Sequence, residues 1–319
     1  MKQRHKYKTN HILLSQLALF KKWLLIGLVS IGIVGCSKPV FKSNYESRYS
    51  EDSIDQHMQH HTIGFNDYQL HYVSIGEHSA TPVVMIHGTP GGWDTFKYVL
   101  GNTLLQEQFQ LASIDRLGWA QSSLSEASPE LLQAELSYQQ QAKAIAAIIE
   151  QFSPKKKVIL LGHSLGASIA PRVALDRPDL IAGLMLISGT LNPELGGPRW
   201  YNRAAGIWPV SRMVSERMLR SNDEIMVLQR ELNALFPVWS QLVVPTTVIQ
   251  GTKDRLVSPK NAAFAREQLK HLGENLEIVE LEKVGHFIPW EQGHIIEREL
   301  LLLKEKINPV AKETIGVEQ

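Results

Sequence analysis

The chain has 319 residues, 44% of them hydrophobic and 20% charged, a balance that suits one large globular domain. Its 33 basic and 32 acidic side chains leave a net charge of +1, so nothing in the charge favours a nucleic-acid partner. A single cysteine excludes intrachain disulfides, and neither repeats nor low-complexity tracts interrupt the chain.

Residues 1–22 are rich in Lys, Arg and His, and residues 23–34 form an apolar run of about a dozen. That length suits the hydrophobic segment of a signal peptide better than a spanning helix. The run ends in Ile33-Val34-Gly35-Cys36-Ser37. This resembles the bacterial lipobox, which implies a signal peptide over residues 1–36 and a lipidated Cys36 as the new N-terminus. The membrane would then be a partner through that lipid. An uncleaved anchor is the alternative. Both readings put the remainder outside the cytoplasm, in the cell envelope, because Lys21 and Lys22 stay inside. In a Gram-negative cell, Ser37 after the cysteine would direct it to the outer membrane. Residues 37–62 read as a polar tether. His57, His60 and His61 lie in it, near His71 in sequence; a His cluster can bind metal, but a tether leaves the ligand spacing unconstrained, so none is expected.

From Tyr68 onward strands alternate with helix-like runs, the pattern of a mostly parallel sheet covered on both faces. The domain is expected over residues 63–307. Pro82-Val83-Val84-Met85-Ile86 reads as a strand, followed by the loop His87-Gly88-Thr89-Pro90-Gly91-Gly92-Trp93. Helices are expected over residues 98–106 and 137–151. The apolar run Lys157-Val158-Ile159-Leu160-Leu161 leads into Gly162-His163-Ser164-Leu165-Gly166 and then into a helix over residues 165–175. Glycines flanking a serine between strand and helix permit a turn so tight that the Ser164 hydroxyl is exposed at a helix N-terminus. Pro171 inside that helix costs roughly 3 kcal/mol beyond the first turn, so a kink or an irregular first turn is expected.

A strand over residues 183–188 follows, and the next begins only at Thr246. Residues 191–242 between them are too many for one crossover helix. They carry Trp200, Tyr201, Ile207, Trp208, Met213, Met218, Leu219, Met226, Phe236 and Trp239, and read as a helical cap lining a pocket. Thr246-Thr247-Val248-Ile249-Gln250 is β-branched, and Gly251-Thr252-Lys253-Asp254 follows at its end. A helix over residues 259–272, a strand over 276–281, the loop Val284-Gly285-His286-Phe287-Ile288-Pro289-Trp290 and a helix over 293–306 complete the domain. Residues 308–319 form a tail.

A serine hydroxyl needs a base to take its proton, and the base needs a carboxylate to fix its tautomer. Ser164, Asp254 and His286 supply these groups in that chain order, each on a loop after a strand. Glu194 is a rival orienter. Acyl transfer also needs fixed N–H donors for the oxyanion. Leu165 N–H and Thr89 N–H are the candidates, with His87 bonding the loop from beneath. Trp93, Trp119, Trp208, Phe287 and Trp290 are candidate pocket residues.

These stretches, with Asp115-Arg116-Leu117-Gly118-Trp119-Ala120-Gln121-Ser122, resemble the α/β-hydrolase superfamily over about residues 63–307. The resemblance implies an α/β-hydrolase fold, a mostly parallel sheet with helices on both faces and a helical cap. It also implies a Ser-Asp-His triad at Ser164, Asp254 and His286, an oxyanion hole at Leu165 and Thr89, and no cofactor or metal. Ala120 stands where that family's Asp-Arg loop has its second glycine, which puts the loop's backbone shape in question. Ser164 stands where epoxide hydrolases and haloalkane dehalogenases have an aspartate nucleophile. The expected activity is hydrolysis of a small carboxylic ester. Alternatives are an aminopeptidase resembling proline iminopeptidases, a lactonase, an acyltransferase, a haloperoxidase-like or C–C bond hydrolase, and a non-catalytic envelope binding protein.

Overall fold

The computed structural model describes Ile54, residues 57–124 and residues 129–308; Cys36, the signal-peptide segment, most of the tether and residues 309–319 lie outside them. Nine strands form one sheet: β1 (Gln59–Phe65), β2 (Tyr68–Ile75), β3 (Thr81–Ile86), β4 (Phe109–Ile114), β5 (Ser123–Leu124), β6 (Val158–His163), β7 (Ile181–Ile187), β8 (Thr246–Gly251) and β9 (Leu276–Leu281). Their order is β1-β2-β4-β3-β6-β7-β8-β9, with β5 paired to β2. The pairings of β1, β4 and β5 with β2 are antiparallel, and every pairing from β4 across to β9 is parallel.

The helices among the described residues are α1 (Lys97–Leu100), α2 (Thr103–Gln108), α3 (Pro129–Ala134), α4 (Tyr138–Phe152), α5 (Leu165–Asp176), α6 (Trp200–Ala205), α7 (Glu216–Leu235), α8 (Lys260–Gln268), α9 (Ile288–Glu291) and α10 (Gly293–Ile307). Alternation along β3 shows why the central strands read as unbroken apolar runs. Val84 and Ile86 join Ile145, Ile149 and Val173 of α4 and α5 in one core. Val83 and Met85 join Val99, Ile296 and Leu300 of α1 and α10 in the other. Both faces are dry, so both parities must be apolar.

Three expectations change. The expected helix over 98–106 is two pieces, because Asn102 caps α2 by accepting from Leu105 N at 3.2 Å and donates to Glu297 at 2.6 Å. The expected helix over 259–272 ends as α8 at Gln268 and passes into a 3-10 turn, where Gly273 has φ +55°. The sheet begins at Gln59, so residues 59–62, read as tether, are paired with β2. The inward positions of β1 are His61, Ile63 and Phe65, all only half-buried, and a histidine among them hides the alternation.

His60, His61 and His71 each have a side-chain partner. His71 Nδ1 donates to Asp115 Oδ2 at 2.8 Å, and His71 Nε2 accepts from His60 Nδ1 at 2.9 Å. His61 bonds Ser74 Oγ at 2.8 Å and stacks on Tyr72. Among the described residues no group of three His, Cys, Asp or Glu side chains could hold a metal ion. Pro171 lies inside α5, and the helix runs continuously through it from Leu165 to Asp176.

Candidate active site

β6 ends at His163 and α5 begins at Leu165, which leaves Ser164 alone to reverse the chain direction. Its φ is +53° and its ψ −119°, a conformation costing a non-glycine residue about 1–3 kcal/mol. The surroundings enforce it. A Cβ on Gly166 would lie 2.2 Å from the Ile86 carbonyl oxygen, and one on Gly162 would lie 2.5 Å from Ala167 N. Only glycines allow β6, α5 and the end of β3 to approach so closely. Ser164 N donates to the Ile187 carbonyl at 2.8 Å, tying the turn to β7.

Asp254 follows β8 and His286 follows β9. His286 Nδ1 donates to Asp254 Oδ2 at 2.7 Å, with both side chains buried. Gln250 Nε2 also donates to Oδ2, and the backbone N–H groups of Leu256 and Val257 both donate to Oδ1 at 2.9 Å. Burial opposes ionisation of Asp254, but the His286 bond and charge and the two backbone N–H bonds outweigh it. Its pKa lies below the usual carboxylate value. Glu194 is exposed and does not line the cavity at Ser164, which leaves Asp254 as the carboxylate on His286.

His163, inside the elbow, was not singled out by sequence. Its Nε2–H donates to the His286 carbonyl at 3.1 Å, and the two rings lie 4.9 Å apart. Burial and the neighbouring His286 push its pKa down to about 3. It therefore stays neutral, and His286 has no second imidazolium beside it.

Ser164 and His286 line one cavity of about 200 Å³ together with Thr89 and Leu165. Leu228 and Ile225 of α7 and Leu256 supply apolar walls, and Arg199 and Tyr201 of the cap supply polar ones. None of the five expected pocket aromatics lines it. Trp93 and Trp119 border a separate hollow of about 410 Å³ that contains neither Ser164 nor His286. Trp208 is 73% exposed, Phe287 lies edge-on to His286, and Trp290 packs edge-on against His163. Trp208 faces water and Trp290 packs on the elbow histidine, while the smaller aliphatic Ile225 and Leu228 of α7 line the cavity instead.

The loop after β3 is held from below. His87 is fully buried, donates through Nδ1 to the Gly88 carbonyl at 2.7 Å, and accepts from Arg116 N at 3.0 Å. Burial pushes its pKa well down, so it remains a neutral strut. Arg116 Nε donates to the His87 carbonyl and Nη2 to the Gly88 carbonyl. The same guanidinium makes two bonds to Glu224 of α7, at 2.6 and 3.1 Å, and Trp119 Nε1 donates to Glu224 at 3.0 Å. Arg116 thus ties the cap to the loop that carries Thr89. Ala120, in place of the family's glycine, still turns left-handed at φ +47° beside Gly118 at +76°. Asp115 helps hold it there, accepting from Trp93 N and Gln121 N.

The Arg116–Glu224 pair is dry, with side-chain exposures of 0% and 6%. Removing one partner strands a buried charge. Glu224→Leu is expected to lower stability by about 3–5 kcal/mol in urea unfolding, and Arg116→Met with Glu224→Leu to recover part of that loss. A loss below about 1 kcal/mol, the worth of a surface pair, contradicts the clamp.

Comparison with known proteins agrees with this architecture. The hydrolase YugF of Bacillus subtilis is 23% identical over 271 residues, covering 74% of this chain and 93% of its own. The 2-hydroxy-6-oxononadienedioate/2-hydroxy-6-oxononatrienedioate hydrolase of Paraburkholderia xenovorans is 24% identical over 277 residues, covering 74% of this chain and 90% of its own. The crystal structure of an epoxide hydrolase from Vigna radiata superposes with a TM-score of 0.61 at 18% identity, over 81% of this chain and 99% of the other, a likeness of fold alone. A model of the alpha/beta hydrolase family matches residues 83–298, and the chain belongs to that family of hydrolases.

Proposed function

We propose that the protein is a serine hydrolase that cleaves small carboxylic esters through an acyl-enzyme. His286 Nε2 takes the Ser164 proton as Oγ attacks the substrate carbonyl. The backbone N–H groups of Leu165 and Thr89 hold the oxyanion. The alcohol leaves with the proton from His286, and water activated by the same imidazole then releases the acid. Asp254, ionised through the neutral range, orients His286 and stabilises its imidazolium. The observation that carries this reading is the strained Ser164 turn facing the same cavity as an Asp254-oriented His286. Nothing in this sequence of steps calls for a cofactor.

A second reading, a C–C bond hydrolase, is favoured by the likeness to the Paraburkholderia enzyme. It uses the same three side chains on a different bond. The aminopeptidase, lactonase and acyltransferase alternatives likewise keep the acyl-enzyme and differ in leaving group or acceptor.

p-Nitrophenyl esters of graded chain length, assayed beside aminoacyl p-nitroanilides, separate these. Ester turnover is expected, abolished in Ser164→Ala and lowered about 10⁴-fold in Asp254→Asn. Turnover that survives Ser164→Ala, or a preference for the anilides, contradicts an esterase.

We further infer that the enzyme is tethered to the bacterial envelope through a lipid on Cys36. The support is the sequence around that cysteine: a basic segment, a short apolar run and Val34-Gly35 before the chain's single thiol. Cells expressing the full chain should incorporate labelled palmitate into it, and Cys36→Ser should not; equal labelling of that variant contradicts the anchor.

A further inference from the structure

Five arginines and one glutamate occupy residues 199–220, in a chain whose charges otherwise nearly cancel. This stretch holds α6, a 3-10 turn at Val210–Met213 and the start of α7, and α6 packs against both neighbours. It also holds the largest exposed apolar side chains of the cap. Trp200, Ile207, Trp208 and Met213 are 78%, 62%, 73% and 60% exposed. Single exposed apolar residues are ordinary on a soluble domain, but four large ones in one short segment are not.

The charges there are unspent. Among the described residues, Arg203, Arg212 and Arg217 are exposed and form no ion pair, whereas Arg220 pairs with Glu135. Arg199 reaches only Tyr201 and the carbonyls of Arg255 and Leu256. Leu256 is itself 57% exposed, and Tyr201 and Leu256 both line the cavity above Ser164. The apolar and cationic surface therefore reaches the rim of the candidate active site.

We propose that this part of the cap docks on an anionic lipid bilayer surface. Indole and aliphatic side chains enter the headgroup boundary, where a ring with one polar edge is at home. Arginines around them meet the lipid phosphates. A protein partner would also cover apolar residues. The charge, however, is predominantly positive, five arginines against Glu216, and spread over flexible guanidinium arms, which matches a surface of mobile anions. Docking would set the cavity rim at the interface, so that an ester partitioned in the lipid reaches Ser164 without crossing bulk water.

The single thiol makes a local test possible on the full chain. Ile207→Cys in a Cys36→Ser background carries an environment-sensitive nitrobenzoxadiazole dye. Lys155→Cys in the same background is the control, because Lys155 is exposed just before β6, at the opposite end of that strand from Ser164. Both proteins are floated with phosphatidylcholine vesicles, with and without phosphatidylglycerol. On the anionic vesicles the dye at 207 should brighten about threefold or more and be quenched by spin-labelled lipid, with a smaller response on phosphatidylcholine alone. The dye at 155 should not respond. The contrast between positions removes any contribution of the N-terminal apolar segment to vesicle binding. No brightening at 207, equal brightening at both positions, or equal response to both lipids overturns the proposal, and the first of these would point to a protein partner instead.

Discussion

The structure depends on a collision avoided at the end of β6. The backbone of Gly166 passes so near the Ile86 carbonyl that any Cβ would overlap it, and Gly162 is equally confined against α5. That closeness fixes the chain reversal at a single residue and forces Ser164 into a positive φ. It also brings the loop after β3 beside the serine: a Cβ on Gly88 would lie 2.8 Å from Ser164 Cβ. Ser164 and the loop after β3 are therefore placed by one close approach of backbones, before any side chain chooses a rotamer. Strain of this kind persists only where the surroundings over-determine it, and here two strands and a helix do so.

Around that point, buried polar groups act as struts. His87 and Arg116 hold the β3 loop, and Arg116 passes the connection to Glu224 in the cap. His163 holds the His286 carbonyl while remaining neutral, Gln250 shares Asp254 Oδ2 with His286, and two backbone N–H groups satisfy Oδ1. Each element of the site thus has its own support. The cap is joined to the loop after β3 by a dry ion pair, so the roof of the cavity and that loop are expected to keep register. The outer part of the same cap differs in character, exposed, cationic and apolar.

What could be read from sequence follows the physics of each feature. Crowded backbones require glycine, so the elbow at Gly162–Gly166 announces itself; doubly buried strands require apolar runs, so β3 and β6 do as well, and β8 shows itself by its β-branched residues. The pairing of Asp254 with His286 was legible because each stands on the loop just after a strand. β1 was not, because His61 occupies an inward position and interrupts its alternation. The cap's aromatic content was visible, but composition does not say which side a ring faces, and Trp200 and Trp208 face water. Glu224 resembles Glu216, Asp223 and Glu231 on the same helix. Only burial against Arg116, which lies far away in sequence, distinguishes it.

The central claim is that Ser164 is an activated nucleophile. A fluorophosphonate probe reacts with such a hydroxyl and ignores an ordinary serine, so intact-mass and peptide analysis of the labelled protein tests it directly. One adduct on Ser164 in the folded protein, absent in Ser164→Ala, is the result this structure predicts. A folded protein left unlabelled, or an adduct that persists in Ser164→Ala, would contradict it and move a non-catalytic binding role to the front.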